Sequence, residues 1–294
     1  MPEPVSRPDL DKRPLLVVDG DNLAHRAYHS MPKSLKSKDG RPINAIVGWT
    51  NMLVYLWETL QPRSVFVGWD TLGVDTYRHE LWPTYQGGRQ FDRAIVLQLD
   101  WLPGVASAFG FGVGKQAGYE ADDLMAAAAI AETSRGGHSL LLTTDRDAYQ
   151  LVSESVTVLA PRSGVRDLMR IGPEQVVERM GVLPEQIPDF KALAGDSSDN
   201  IPGAKGIGPK AAASLLLKYG TLEAVLEART DSIAPAVAEQ LRVFRRIVTM
   251  QTDVKVKLPA TAPPNWAAAA EEIRRLGAEN LAERLAARAA SPPA

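Results

Sequence analysis

The chain has 294 residues, of which 45% are hydrophobic and 23% charged, the balance of a folded globular protein with room for one large or two modest domains. It contains no cysteine, which excludes disulfides, thiolate metal sites and a cysteine nucleophile, and its formal net charge of −2 gives no overall attraction to a polyanion. The N-terminus lacks an apolar signal core and no apolar run approaches membrane-spanning length, so we expect a cytoplasmic protein without membrane contact.

The chain begins with the pattern of a strand–helix–strand unit. Residues 14–22, PLLVVDGDN, form a short apolar run typical of a buried parallel strand, with Asp19 at its C-terminal end. Residues 64–70, SVFVGWD, repeat this pattern and end at Asp70. The intervening residues 44–60 have helical apolar periodicity, which predicts a right-handed βαβ unit.

Three further strands follow in the sequence. A short third strand is predicted at 110–115 and a fifth at 155–160. The fourth lies within 138–151 and ends at Asp145 and Asp147. Because strands alternate with helical segments, we expect an open, mostly parallel α/β sheet with flanking helices.

Three acids, Glu120, Asp122 and Asp123, open the helix that follows the third strand. Helix capping explains an isolated acidic triplet, because acids near a helix N-terminus stabilise the helix. Capping does not explain why Asp70 and Asp145 each stand at a strand end. Since ligands bind outside the carboxyl ends of the strands in such sheets, we expect these acids to converge on one edge.

From about residue 172 the pattern becomes helical, and a glycine-rich turn, IPGAKGIGPKAA (201–212), follows the acidic stretch GDSSDN. Glycines allow close backbone approach, and amides at the start of the next helix can hold a phosphate. The turn lacks the GxxxxGK[ST] pattern of nucleotide-binding loops. Its predicted phosphate-binding residues are Gly203, Lys205, Gly206, Gly208 and Lys210. After residue 265 we expect amphipathic helices that cover the core, with a partner surface as the alternative.

Carboxylates dominate the predicted site. The cluster comprises Asp19, Asp70, Glu120, Asp122, Asp123, Asp145, Asp147, Asp196 and Asp199, with Asp21 as a further candidate. So many carboxylates repel one another unless cations lie between them. Oxygen ligands without cysteine favour Mg²⁺ or Mn²⁺. Pairs of these ions promote in-line displacement at phosphorus. Ten clustered carboxylates leave a formal charge of +8 on the rest of a chain whose total is −2. An acidic, metal-filled pocket on a basic surface predicts a phosphodiester substrate.

Six motifs occur in order over roughly residues 14–250: VVDGDNLAHRAYH, VFVGWD, YRHELWPTYQGGR, GYEADDL, TTDRDAYQL and GDSSDNIPGAKGIGPKAA. Together they resemble the bacterial 5′-nuclease family of flap endonucleases and 5′–3′ exonucleases, which includes the 5′-exonuclease domain of DNA polymerase I. The resemblance implies a PIN-like, mostly parallel sheet domain (residues 1–171) with a helical arch at about 76–92. It implies a helical domain (172–294) with a helix–three-turn–helix module at about 190–220. No polymerase domain follows, so we expect a free-standing member.

The resemblance also implies roles for individual residues. One metal site comprises Asp19, Asp70, Glu120 and Asp122, with Asp123 beside both sites, and a second, looser site comprises Asp145, Asp147, Asp196 and Asp199. The catalytic residues are Asp19, Asp70, Glu120, Asp122, Asp123, Asp145 and Asp147 together with Arg78 and Arg89. DNA contacts are expected from the glycine-rich turn, with a K⁺ on its backbone carbonyls, and from the arch residues Tyr77, Arg78, Tyr85, Gln86 and Arg89.

Two positions depart from the family pattern. Gln86 stands where the family generally has a lysine that contacts the scissile phosphate, so we expect a lower rate or a larger role for Arg89. Asp21 stands where relatives commonly have a small polar residue or histidine. We expect it either to bind or orient an additional metal ion or to cap the following helix. His25 is expected to pack, and Trp82, like the arch tyrosines, either stacks on a base or packs the arch on the body.

The predicted function is metal-dependent 5′–3′ exonuclease and 5′-flap endonuclease action on DNA in replication and repair, by a two-metal mechanism. The expected partners are DNA with 5′ flaps, nicks or gaps and RNA–DNA hybrids, bound by a monomer that associates with the nucleoid. One alternative is a structure-specific DNA-binding protein whose catalysis is weakened by Gln86. A second alternative is an RNA-directed PIN-type nuclease.

Overall fold

The computed structural model describes residues 12–88, 92–228 and 237–290. Six strands form one sheet, and helices cover both of its faces. Within these three ranges, no helix combines the length and the apolar character needed to cross a membrane.

The strands of the sheet are β1 (Leu15–Asp19), β2 (Ser64–Trp69), β3 (Gly112–Lys115), β4 (Ser139–Leu142), β5 (Val156–Pro161) and β6 (Leu168–Ile171). Their order is β3-β2-β1-β4-β5-β6, and all neighbours are parallel except β5 and β6, which are antiparallel. The five predicted strands are present. The edge strand β6 was not predicted, because it has four residues and only Ile171 among them is buried, which leaves no apolar run to detect.

The fourth strand ends earlier than predicted. β4 ends at Leu142, Asp145 lies in the turn that follows, and Asp147 begins a short 3-10 helix. The Asp145 N–H donates to Thr143 Oγ1 at 3.1 Å, and the Asp147 N–H donates to Asp145 Oδ1 at 2.9 Å. Side-chain acceptors thus replace the strand ladder as partners of these amides, which ends the strand.

The helices in chain order are α1 (Gly20–Ser30), α2 (Asn44–Leu60), α3 (Tyr77–Leu81), α4 (Arg93–Ala108), α5 (Ala121–Ser134), α6 (Pro173–Met180), α7 (Ile187–Ala194), α8 (Pro209–Tyr219), α9 (Leu222–Glu227), α10 (Ala238–Val248), α11 (Trp266–Arg275) and α12 (Glu279–Ala290). Most of the predicted arch is not helical, since α3 has five residues and turns occupy 83–88. The predicted helix–three-turn–helix module, at about 190–220, corresponds to α7, the loop 195–208 and α8.

Two apolar clusters hold the helices against opposite faces of the sheet. Successive residues of β1 alternate between them: Leu15 and Val17 belong to one cluster and Leu16 and Val18 to the other, as the two-residue period of a strand requires. The first cluster includes α5 to α10 and the second includes α1, α2, α4, α11 and α12. The helices after residue 265 thus cover the core, as predicted, and they do so on the side of the sheet where α4 lies.

The strand order creates a switch point between β1 and β4. The chain runs outward from β1 through β2 to β3 and then returns to β4 on the other side of β1. The connections therefore diverge at the carboxyl ends of β1 and β4, where open α/β sheets bind their ligands. Asp19 ends β1 at this point, and Asp145 follows β4.

Candidate metal centre

Six acidic side chains line one cavity of about 170 Å³ at the carboxyl edge of the sheet. We call them the first acidic group; its members are Asp19, Asp21, Asp70, Glu120, Asp122 and Asp145. All six were predicted to converge here from positions that span more than half of the sheet domain. His25 and Gln86 also line the cavity, although His25 was expected only to pack.

Backbone and hydroxyl donors fix the carboxylates of the first acidic group. Asp19 caps α1: its Oδ1 accepts from the Asn22 N–H at 2.9 Å, and its Oδ2 accepts from the Thr143 hydroxyl at 2.9 Å. Asp70 Oδ1 accepts from the Ala121 N–H at the start of α5, at 2.7 Å. Asp19 and Asp70 are therefore each held by a group on a neighbouring element, which orients the two carboxylates before any ligand binds.

Asp21 occupies the wall of the cavity beside Asp70. Its Oδ2 accepts a hydrogen bond from the Asp70 N–H at 2.8 Å. Asp19 is the residue that caps α1, so the structure does not support the alternative in which Asp21 caps this helix. Burial and the charge of Asp70 raise the pKa of Asp21 well above its usual value. The proposed role of Asp21 in holding a metal ion stays a prediction.

Burial raises the pKa values of the other acids in this group. It raises the pKa of Asp19 to about 7, and the charges of Asp70 and Asp145 add to the effect. Burial also raises the pKa of Glu120 to about 7 and the pKa of Asp122 well above its usual value. Cations stabilise the charged form of such acids, and oxygen donors are what Mg²⁺ and Mn²⁺ prefer. The donor set therefore fits a hard divalent ion.

Asp123 and Arg78 form a buried ion pair behind the cavity. Arg78 donates from Nη1 and Nη2 to the two Asp123 oxygens at 2.6 and 2.8 Å, and from Nε to the Ile247 carbonyl at 2.9 Å. The Gln251 N–H also donates to Asp123 Oδ1, at 2.9 Å. Both oxygens of a fully buried carboxylate are thus bound by protein donors. This geometry departs from the predicted metal-binding role of Asp123 and catalytic role of Arg78, and it joins α3, α5 and the end of α10.

A second acidic group, defined as Asp147, Asp196 and Asp199, has one oxygen from each residue within 4.8 Å of the others. Lys191 lies in this group, with Nζ 2.6 Å from Asp196 Oδ2 and in contact with Asp147 Oδ1. Its hydrogen bond lowers the pKa of Asp196, although burial opposes the shift. Asp145, which was predicted in this group, lines the first cavity and also lines a larger groove together with Asp196 and Lys191.

The arch aromatics pack on the body of the protein. Tyr85 is buried, and its hydroxyl donates to Glu120 Oε2 at 3.0 Å. Trp82 makes an edge-to-face contact with Phe244 at 5.1 Å between ring centroids. The Tyr77 hydroxyl donates to Asp123 Oδ1 at 3.3 Å. These contacts favour the packing alternative for the three rings. Arg89, predicted to contact DNA, lies outside the described residues.

The glycine-rich turn exposes both of its lysines to solvent. Gly203 and Gly206 have φ values of 69° and 83°, in the region that favours glycine. A Cβ on Gly203 would lie 2.4 Å from the Gly195 nitrogen, so this glycine lets two backbone segments approach closely. Gly208 is the residue before α8, and Lys205 and Lys210 are exposed on either side of it.

A groove of about 970 Å³ connects the acidic groups to α8. Its basic lining consists of Arg146, Arg179, Lys191 and Lys210. Sequence reasoning singled out only Lys210 among these residues. Arg179 and Lys191 stand in helical patterns, where a basic residue ordinarily faces solvent, and only the packing of α6, α7 and α8 brings them to one groove.

Family models match nearly the whole of this architecture. The model of the 5′-3′ exonuclease N-terminal resolvase-like domain matches residues 14–181, and the model of the 5′-3′ exonuclease C-terminal SAM fold matches residues 182–268. The chain belongs to the 5′–3′ exonuclease family. The family resemblance of the six sequence motifs is thereby confirmed.

Curated relatives of this family member are bacterial DNA polymerases. DNA polymerase I of Mycobacterium bovis is 39% identical over 262 residues, which cover 87% of this chain and 29% of the polymerase. DNA polymerase I of Deinococcus radiodurans is 43% identical over 228 residues, which cover 77% of this chain and 22% of the polymerase. The chain thus spans less than a third of the length of these relatives.

Solved structures of nucleases share the fold. A zinc-bound T5 5′-exonuclease is 21% identical and has a TM-score of 0.68; the match covers 93% of this chain and 97% of the T5 chain. A bacteriophage T5 flap endonuclease complex with DNA and metal ions has the same TM-score at 22% identity, covering 93% and 96%. The catalytic core of Rad2 with DNA substrate has a TM-score of 0.58 at 14% identity, covering 94% and 93%. The predicted PIN-like sheet with a C-terminal helical module is confirmed by these neighbours.

Proposed function

We propose that this chain is a divalent-metal-dependent 5′–3′ exonuclease and 5′-flap endonuclease that hydrolyses DNA at free 5′ ends, flaps, nicks and gaps. The observation that carries the proposal is the convergence of two acidic groups at the switch point of the sheet, beside a groove with basic residues. Acids bind the metal and basic residues bind phosphates, so both needs of phosphodiester hydrolysis are met in one place.

Two divalent ions, when bound at these groups, activate water and stabilise the leaving oxygen. The first acidic group would hold one ion, and the second acidic group would hold the other. Thr143 orients Asp19, while the Tyr85 hydroxyl and the Thr76 hydroxyl, which is 3.3 Å from Glu120 Oε1, orient Glu120. The Asp123–Arg78 pair fixes the start of α5, from which Glu120 and Asp122 reach the cavity.

The groove and the glycine-rich turn bind duplex DNA. Arg146, Arg179 and Lys210 contact phosphates along the groove, and the amides of the turn hold a further phosphate. We assign Mg²⁺ or Mn²⁺ to the acidic groups and K⁺ to the carbonyls of the turn. The enzyme acts as a monomer in the cytoplasm, next to the nucleoid, and it also accepts RNA–DNA hybrids. Its catalytic domain is residues 1–171 and its helical domain residues 172–294.

A labelled substrate tests the proposal directly. A 5′-labelled flap duplex and its single-stranded arm alone are incubated with Mn²⁺, with Mg²⁺ and with EDTA, and the products are mapped to the nucleotide. We expect metal-dependent cuts near the junction, and Asp145→Ala should lower the rate about 100-fold or more because it removes a carboxylate from the cavity. Asp100→Ala, which removes an exposed aspartate of α4, serves as the matched control.

The same assay separates the alternatives. Tight binding of the flap without cleavage in either metal would contradict the enzymatic proposal and support the structure-specific DNA-binding protein. Preferential cleavage of an RNA flap duplex of the same sequence would support the RNA-directed nuclease.

A further inference from the structure

Gln86 connects the two acidic groups through hydrogen bonds. Its Nε2 donates to Asp199 Oδ1 at 3.0 Å and to the Tyr85 hydroxyl at 2.8 Å. The Tyr85 hydroxyl in turn donates to Glu120 Oε2 at 3.0 Å. A chain of donors thus runs from the second acidic group, through one amide and one hydroxyl, to the first. Both hydrogens of the amide are used, so a carboxylate at position 86 could not replace them.

The backbone around Gln86 is held to the same loop. Gln86 adopts a φ of 48°, and its N–H donates to the Asp199 carbonyl at 3.3 Å. Asn200 Nδ2 donates to the carbonyls of Thr84 and Gly87 at 3.0 and 3.2 Å. Trp82 Nε1 donates to the Asn200 carbonyl at 3.1 Å. The arch segment is therefore fastened to the loop that carries Asp199, which keeps the amide in reach of the carboxylate.

A neutral donor at this position has a different effect from a cation. Lys191 already brings one positive charge to the three carboxylates of the second acidic group, which leaves a net charge of −2 when all are ionised. A lysine at position 86 would reduce the net negative charge of the group from −2 to −1. It would also compete with a divalent ion for Asp199. An amide orients the carboxylate by hydrogen bonding and leaves its charge for the metal.

We propose that Gln86 is a positioning residue that holds the Asp199 carboxylate in place for the second divalent ion and couples it, through Tyr85, to Glu120 of the first acidic group. The proposal rests on the proposed function, because it assumes that both acidic groups bind metal. It assigns to the glutamine a task different from the phosphate contact expected of a lysine at this position.

Metal binding by the DNA-free protein tests the proposal without any cleavage step. Mn²⁺ is titrated into the full chain by calorimetry, with the free ion followed by electron paramagnetic resonance. We expect Gln86→Met to weaken the looser Mn²⁺ about tenfold and to leave the tighter one within about twofold, because ligand-orienting partners contribute effects of this size. Gln86→Lys should weaken the looser ion further. The control is Gln116→Met, which makes the same exchange at an exposed glutamine.

Two further variants separate positioning from general damage to the fold. Tyr85→Phe removes only the hydroxyl that links Gln86 to Glu120, and we expect it to weaken both ions several-fold. Asp199→Asn should weaken the looser ion at least as much as Gln86→Met does. In flap cleavage, saturating Mn²⁺ should restore the kcat of Gln86→Met with no change in the KM for DNA, whereas a misfolded arch would not recover.

Equal Mn²⁺ affinities for the wild type, Gln86→Met and Gln86→Lys would overturn the proposal. So would an unchanged looser site in Tyr85→Phe, which would remove the coupling between the groups. A wild type that binds two Mn²⁺ ions with the expected Gln86 dependence but cuts no flap would overturn the proposed function alone and leave the positioning role intact.

Discussion

Asp122 and Asp123 are adjacent acids with opposite surroundings. Asp122 lines the cavity of the first acidic group, whereas Asp123 is fully buried against Arg78 and accepts hydrogen bonds from Arg78 and the Gln251 backbone. Their sequence neighbourhood is the same, and consecutive residues of a helix point about 100° apart, so one faces the cavity and the other faces the body. The bidentate arginine occupies both oxygens of the Asp123 carboxylate, which leaves them turned away from the cavity.

At the residue scale we expect the metal-free protein to lose stability as the pH rises. Asp19 and Glu120 have pKa values raised to about 7 in the folded state, against about 4 in an unfolded chain. Their contribution to stability is therefore complete below about pH 4 and is lost as the pH rises through about 7. The Tm in EDTA should fall between about pH 5 and about pH 8, and Mg²⁺ should restore it at the upper end.

Scanning calorimetry across this pH range, with and without Mg²⁺, checks the expectation. The double variant Asp19→Asn, Glu120→Gln carries neutral side chains at both positions, so its Tm in EDTA should depend less on pH. A wild-type Tm that is equally flat with Mg²⁺ and with EDTA would contradict the raised pKa values.

At the scale of elements, the loop 195–208 between α7 and α8 carries Asp196 and Asp199 of the second acidic group as well as the glycine-rich turn. A short bridge closes the loop, since Asp196 and Ile201 exchange backbone hydrogen bonds at 2.8 Å in both directions. The Ala204 N–H donates to the Leu193 carbonyl at 2.8 Å, which folds the turn back onto α7. Under the proposed function, metal binding and DNA binding therefore both depend on one compact loop.

Two glycine substitutions in this loop should have unequal effects. Gly203→Ala places a Cβ 2.4 Å from the Gly195 nitrogen at a φ of 69°, so the backbone must move. Gly206→Ala has a φ of 83° but no atom within 4 Å, so it costs only the left-handed conformation, about 1 kcal/mol. We expect Gly203→Ala to be the more destabilising by urea denaturation and to weaken flap binding about tenfold or more.

Flap binding is measured by fluorescence anisotropy in Ca²⁺, with the labelled duplex in trace amounts. Gly206→Ala is the matched control, because both variants add one methyl group to a glycine of positive φ in the same turn. Equal stability and equal affinity in the two variants would show that the close approach at Gly203 is unimportant.

At the scale of the whole molecule, the C-terminal segment returns to the sheet. Arg63, before β2, donates from Nε to Glu132 Oε1 of α5 at 2.7 Å and from Nη1 to the Pro259 carbonyl at 3.0 Å. This buried pair holds the extended segment that leads to α11. α11 and α12 then pack in the same apolar cluster as α1, α2 and α4. The last helices are thus part of the core that packs on the sheet.

Truncation of one buried side chain in α11 should therefore destabilise the protein. Ile273 has 0% exposure, and Ile273→Ala should lower the free energy of unfolding by about 2–5 kcal/mol. The control is Leu217→Ala in α8, because Leu217 is 86% exposed and its loss removes little buried area. Urea unfolding followed by circular dichroism measures both, and an Ile273→Ala protein as stable as the wild type would mean that α11 is dispensable for the core.

The local order of the residues determined the broad architecture and the chemistry. The apolar runs ending in acids predicted β1 and β2, and the glycines of 201–212 predicted the turn before α8, because periodicity and backbone freedom are properties of neighbouring residues. The acids at strand ends were expected at one edge, since parallel strands share the direction of their carboxyl ends. These features needed no knowledge of long-range contacts.

Only the tertiary structure decided what each side chain meets. Arg78 pairs with Asp123 across 45 residues, Gln86 binds Asp199 across 113, and Lys191 enters the second acidic group from α7. A sequence pattern records the spacing along the chain, whereas a salt bridge or hydrogen bond depends on how helices pack against the sheet and on which donor comes within about 3 Å. Packing therefore separated the acids that face the cavity from the acid that holds the fold together.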